Sequence, residues 1–381
     1  MTHTSERGGA FTSYTDATTA WPAFASPTPK IRMVWIGDVV MGRRYLVEQA
    51  DGSPDIEIVG TAIDPNLARE AVARLRPDVV TLDLELPRMD GLTVLGRLMR
   101  HAPVPVVIMS SATADHAETA LRALTLGAVE VVQRPSATSD PRDGWTHLAR
   151  AVRNAAASRV RREEPLPPFG IAVSRTEPLA PASCRQELFV VGASTGGTRA
   201  IEALVARFPK STPGAVIVQH LPAVLTRAFA AHLDGLSALD VREARDGDVI
   251  RRGLALLAPG DQHVTVQRAG GQLVVHLRAG PLVHGHRPSV DVLFHSVARA
   301  AGPGAIGTIL TGSGVDGAEG LLAMRDAGAH TIAQDERTST AFGMPRKAIL
   351  LGAATEVLPL SRIGNAMLHA DRSSEPEAVP A

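Results

Sequence analysis

Ser194 stands in the stretch VVGASTGGT (residues 191–199), where an apolar run breaks into a glycine-rich turn. Such a serine can cap a helix, face a phosphate, or act as a nucleophile, and its neighbours discriminate. A dinucleotide fingerprint needs Gly-x-Gly-x-x-Gly, and Ser194 takes the place of the middle glycine. No acidic residue ends the following strand to hold a ribose. A phosphate loop is excluded because no lysine follows the glycines. The nucleophile reading fits better. Ala193 and Gly196–Gly197 are small enough for a carbonyl to approach, and amides at the start of a helix can stabilise an oxyanion.

A serine needs a base near neutral pH, and imidazole has a suitable pKa. His220 closes the apolar run GAVIVQH, and Asp316 lies in TGSGVDGAEG just after AIGTILTG. Serine, histidine and aspartate thus each follow a separate strand, on the side where open α/β sheets collect ligands. A carboxylate there would fix the histidine tautomer and stabilise the imidazolium. His263, His284, His286 and His295 are rival bases and Asp261 and Asp335 rival carboxylates, and spacing alone leaves them open.

Two alternating regions must position these residues. Strands are expected at 31–37, 56–62, 78–84, 104–110 and 129–135, with helical periodicity at 66–76, 117–127 and 147–162. A second set is expected at 187–194, 214–220, 253–259, 305–312 and 330–335, with a hairpin over 263–277 turning at Gly270–Gly271. The fold class is therefore α/β: two doubly wound parallel-sheet domains joined by a proline-rich linker. The boundaries are a disordered extension over 1–30, a first domain over 31–155, a linker over 156–186, a second domain over 187–365 and a disordered tail over 366–381.

Composition narrows the function classes. Lysine plus arginine equals aspartate plus glutamate at 39 each, which gives no general attraction to nucleic acid or anionic lipid. The single cysteine, Cys184, cannot form an internal disulfide, as expected of a cytoplasmic chain. No apolar run approaches the roughly 18 residues of a membrane span, and the first thirty residues lack a secretory apolar core. No nucleic-acid partner and no membrane insertion are expected.

GASTGGT, VIVQHLP, HRPSVDVLFHS, LTGSGVDGAEG and FGMPRKA, in this order, resemble the chemotaxis protein-glutamate methylesterases. These are response regulators with an N-terminal receiver and a C-terminal hydrolase, and the resemblance covers about 31–155 and 187–362. It implies a flavodoxin-like receiver and a Rossmann-like methylesterase domain with an inserted hairpin. It further implies Ser194 as nucleophile, His220 as base and Asp316 as orienter, with Thr195, Gly196 and Ser313 around the oxyanion pocket. Ser313 departs from the methionine usual in that turn. The implied reaction hydrolyses γ-glutamyl methyl esters on the cytoplasmic helices of chemoreceptors and deamidates receptor glutamines. No cofactor is implied for hydrolysis.

In the first domain PDVVTLDLELPRMDG resembles a receiver's phospho-acceptor loop, which makes Asp83 the acceptor and a sensor histidine kinase its phosphodonor. Receivers hold Mg²⁺ with an acidic pair plus the acceptor; here Gly37 replaces one acid, leaving Asp38 with Asp83 as metal candidates. Ser110 is the hydroxyl that pairs with the phosphoryl group. Arg134 stands where the family has lysine, and Val131 where it has the switch aromatic. This degenerate set motivates an alternative, a non-catalytic two-domain regulator acting by docking. The intact Ser194, His220 and Asp316 set argues against it.

Overall fold

The structure is a computed structural model and describes residues 29–37, 50, 53–86, 89–111, 113–134, 141–159, 179–180 and 186–370. The first domain is a five-stranded parallel sheet of β1 (Ile31–Ile36), β2 (Ile56–Ala62), β3 (Val79–Asp83), β4 (Val106–Ser110) and β5 (Glu130–Gln133). Its order, β2-β1-β3-β4-β5, is that of flavodoxin-like receivers. The strands are almost wholly apolar because helices cover both faces. Those described are α1 (Pro65–Leu75), α2 (Gly91–His101), α3 (Ala114–Thr125) and α4 (Pro141–Ala156). Asp64 starts α1 by accepting from the Asn66 and Leu67 amides at 2.8 and 2.9 Å, with Pro65 at the first helical position.

The second domain is built on a seven-stranded parallel sheet. Its strands are β6 (Leu188–Ala193), β7 (Gly214–Gln219), β8 (Asp240–Glu243), β9 (Leu254–Leu257), β12 (Ala305–Ile309), β13 (His330–Gln334) and β14 (Glu356–Leu358), in the order β8-β9-β7-β6-β12-β13-β14. The inserted hairpin is β10 (His263–Ala269) with β11 (Gln272–Arg278), turning at Gly270–Gly271 as expected. The helices are α5 (Gly197–Val205), α6 (Ala223–Leu236), α7 (Val290–Ala300), α8 (Ala318–Asp326), α9 (Gly343–Leu350) and α10 (Leu360–His369). The chain leaves β6 toward β7 on one side and returns to β12 on the other, so the switch point lies at the carboxyl ends of β6 and β12.

The domains share one apolar cluster that includes Leu121 and Leu124 of α3 and Leu225 and Phe229 of α6. Each such buried side chain contributes about 1.5–3 kcal/mol, so docking of the receiver is a packed interface. Arg159 reinforces it, pairing with Glu336 at 2.9 Å and donating its amide to the Thr340 carbonyl.

Several boundaries differ from the sequence expectation. The tail does not begin at 366: α10 runs to His369, because Met367 and Leu368 are fully buried against the sheet's core. The helix expected over 147–162 is α4, displaced toward the N-terminus. Within the expected linker, Ala156 still belongs to α4, and Leu179 donates its amide to the Arg207 carbonyl at 2.9 Å. β8 and β14 add to the expected strands; both are short edge strands with charged residues, which hide the alternation that marks a strand. The extension over 1–28 and the tail beyond 370 lie outside the described residues.

Candidate active site

Ser194 leaves the end of β6 and turns into α5 through Gly196, which adopts φ 76°. Glycine is also required next door. A Cβ on Gly197 would lie 2.1 Å from Gln219 Oε1, and one on Gly312 would lie 2.9 Å from the Ser194 Cβ. The buried Gln219 pins the turn by donating Nε2 to the Ser194 carbonyl at 2.8 Å, while the Ser194 amide donates to Thr311 O at 3.0 Å. Among the described residues the Thr195 and Gly196 amides donate to no backbone carbonyl, and the buried Thr195 Oγ1 has no partner. These donors beside Ser194 suit an oxyanion.

His220 follows β7, and its Nε2 lies 3.0 Å from Asp316 Oδ2. Asp316 follows β12 and sits at the N-terminus of α7, where it accepts from Ser289 Oγ at 2.8 Å, Val290 N at 2.8 Å and Asp291 N at 3.1 Å. Burial alone would push this carboxyl up. The His220 hydrogen bond and charge, with the α7 amides, overcome it and hold the pKa well below the usual carboxylate range. Asp316 is thus a fixed anion beside the imidazole. His220 Nδ1 is buried and has no partner among the described residues. No hydrogen bond joins it to Ser194 Oγ here, as is common in unliganded hydrolases.

Ser194, Thr195, Gly196 and His220 line one cleft with His286 and receiver residues that include Glu130 and Arg150. Its volume is about 320 Å³. Asn154 Nδ2 donates to Glu130 Oε2 at 3.3 Å. The rival residues are used elsewhere. His263 accepts from the Ser289 amide and pairs with the Pro281 carbonyl, and His284 pairs with Asp291 at 3.1 Å. Asp335 accepts from the Thr338 amide, Asp261 is exposed, and His295 does not line the cleft. Ser313, half-buried in the turn before Asp316, does not line it either.

In the receiver, Asp83 ends β3 and is buried, with Arg134 Nη1 3.4 Å from its Oδ2. The same guanidinium lies 3.5 Å from Glu85 Oε2, and Glu85 also accepts from Ser110 Oγ at 3.4 Å and from the Ser111 amide. Burial would raise the Glu85 pKa, but the Ser111 hydrogen bonds and the His116 and Arg134 charges lower it.

The matches to known proteins agree with this two-part layout. The family model described as CheB methylesterase matches residues 189–367, and the response regulator receiver domain matches 36–142. A protein-glutamate methylesterase/protein-glutamine glutaminase of Anaeromyxobacter dehalogenans (strain 2CP-C) is 46% identical over 350 residues, spanning 92% of this chain and 98% of the relative. The chain belongs to the CheB methylesterase family.

A like-named protein of Bordetella parapertussis is 48% identical over 342 residues, 89% of this chain and 97% of its own. Among solved structures, the CheB methylesterase catalytic domain of Thermotoga maritima is 34% identical, covers 49% of this chain and 98% of that one, and superposes with a TM-score of 0.47.

A CheB receiver implies Mg²⁺, and the described residues fit it poorly. Gly37 offers no carboxylate, and a Cβ there would lie 2.2 Å from the Trp35 ring. Arg134 already neutralises Asp83, and Asp38 lies outside the described residues.

The structure brings Ser194, Thr195, Gly196, His220 and Asp316 together, and Asp83, Ser110 and Arg134 in the receiver. Sequence reasoning missed Gln219, Ser289, Glu130 and Arg150. Gln219 directly precedes His220, and Ser289 lies in the HRPSVD run; Arg150 meets Gly285 and His286 only through domain docking.

Proposed function

We propose that this CheB-family protein hydrolyses glutamate γ-methyl esters on chemoreceptor helices, releasing methanol, and deamidates receptor glutamines, using Ser194, His220 and Asp316. The curated relatives are named for both activities. The carrying observation is the His220–Asp316 pair beside Ser194, with Asp316 held ionised at the start of α7.

Ser194 Oγ attacks the ester carbonyl as His220 Nδ1 takes its proton. Charge passes to the carbonyl oxygen, which the free amides of the Ser194 turn stabilise. The tetrahedral species collapses, the C–O bond to the methoxy group breaks, and His220 returns the proton so that methanol leaves. Water then repeats the sequence on the acyl-enzyme, giving the glutamate carboxylate and free Ser194. For glutamine the leaving group is ammonia. No cofactor enters this chemistry.

The receiver closes the cleft from above, through Glu130 and Arg150, and is the gate. Asp83 is the phospho-acceptor, with a sensor histidine kinase as donor and Ser110 and Arg134 as the groups that meet the phosphoryl oxygens. The protein acts in the cytoplasm; among the described residues no helix is long and apolar enough to cross a membrane.

The test is methanol release from methylated receptor together with fluorophosphonate labelling. Wild-type protein is expected to label at Ser194 and release methanol, and Ser194→Ala to do neither. A labelled protein with no turnover on any methylated receptor refutes the substrate; the absence of labelling refutes the nucleophile.

A further inference from the structure

His286 has no part in the hydrolytic steps, yet its ring lies face to face with that of His220, at a centroid separation of 3.8 Å and an interplanar angle of 7°. Both rings line the cleft. The segment that carries His286 is pinned by reciprocal backbone hydrogen bonds between Val283 and His286, at 3.0 and 2.9 Å. Arg150 Nη1 of the receiver approaches His286 Nε2 at 3.4 Å.

We infer that His286 is a positioning residue: a neutral aromatic plate that fixes the plane of His220, so that Nε2 stays on Asp316 while Nδ1 faces Ser194. This rests on the reading of His220 as the base.

The hydrogen bond to Asp316 fixes one atom of the His220 ring and leaves the ring free to roll about that contact. A parallel ring removes this freedom, because rolling would drive one edge into the plate. A base misdirected by a fraction of an ångström loses much of its rate. The plate must also stay uncharged, since His220 becomes an imidazolium during turnover and two stacked cations repel. The surroundings enforce this: burial, then the charges of His220 and Arg150, push the His286 pKa down to about 3. Arginine only donates, so His286 Nε2 accepts from Arg150 and the ring proton sits on Nδ1. The aromatic face, with its negative quadrupole, then opposes the imidazolium favourably.

The experiment compares His286→Ala and His286→Phe in the full chain. Each is also made with Arg150→Ala, so that loss of the receiver contact is common to both. The fluorophosphonate labelling rate at Ser194, and kcat and KM on methylated receptor, are measured. His286→Ala is expected to lower labelling and kcat by about ten- to a hundredfold with KM little changed. His286→Phe, flat but unable to accept a proton, is expected to recover most of that loss. Equal rates for His286→Ala and wild type, a His286→Phe as slow as His286→Ala, or a loss confined to KM would each overturn the inference. If His286→Ala does not fold, His286→Gln takes its place. A wild-type chain that fails to label at Ser194 refutes the catalytic reading itself, whereas labelling insensitive to residue 286 refutes only the positioning role.

Discussion

His220 Nε2 and Asp316 Oδ2 meet at 3.0 Å although 96 positions separate them in the chain. The His220 hydrogen bond and charge, together with the Val290 and Asp291 amides at the start of α7, hold this buried aspartate ionised. Asp316→Asn keeps the shape and removes the charge. Its kcat is expected to fall by roughly a thousandfold or more, since a wrong histidine tautomer is costly in such triads, while KM changes little. Steady-state kinetics on methylated receptor checks this; a loss under tenfold would show that Asp316 does not hold the base.

Gly197 touches the Gln219 side chain closely enough that any Cβ must displace it. Gly197→Ala is expected to cost about 1–3 kcal/mol as overpacking and to move Ser194, because Gln219 holds the Ser194 carbonyl. Urea unfolding measures the first effect and the Ser194 labelling rate the second. Unchanged values in both would mean that the turn yields freely.

The receiver covers the cleft through packing of α3 on α6 and α5. A chain of residues 186–370 is therefore expected to release methanol faster than the full protein, and phosphorylation of Asp83 to move the full protein toward that rate. If the shorter chain is no faster, the receiver does not restrict this enzyme.

Glu130 gives the docking a pH dependence with a definite sign. In the docked state burial raises its pKa above the ordinary 4.5, against the lowering effects of the Asn154 hydrogen bond and the Arg150 and His220 charges. A raised carboxyl binds its proton more tightly when docked. Its contribution to docking is therefore full below the ordinary value and is lost as pH rises through the raised one. The ratio of full-length to 186–370 activity is expected to climb as pH rises above the ordinary carboxyl value of 4.5, and Glu130→Gln to flatten that climb. A flat wild-type ratio would rule Glu130 out.

Arg134 lies between Asp83 and Glu85. Acetyl phosphate is expected to label the wild-type chain and not Asp83→Asn, as read by mass. Glu85→Ala is expected to label faster, because the competing carboxylate is gone. EDTA is expected to leave ester hydrolysis by the 186–370 chain unchanged. Equal labelling of Asp83→Asn would place the acceptor elsewhere.

The strand-end residues Ser194, His220 and Asp316 were legible from sequence because buried parallel strands are short apolar runs, and the residues just past their carboxyl ends emerge at one sheet edge. Glycines beside Ser194 announced a turn that tolerates no side chain. The family resemblance then chose among rival histidines that periodicity could not rank. The edge strands β8 and β14 and the end of α10 escaped, because their assignment depends on the elements that pack against them.

The sequence alone thus determined two α/β domains, the order of their strands along the chain, and the residue types delivered to each strand tip, all of which are set by local patterning. Only the tertiary structure decided that His220 bonds Asp316 through Nε2, that His286 stacks upon it, and that Glu130 and Arg150 reach over the cleft. Those relationships arise between side chains from distant elements, where distance and orientation come from packing and leave no periodic trace in the chain.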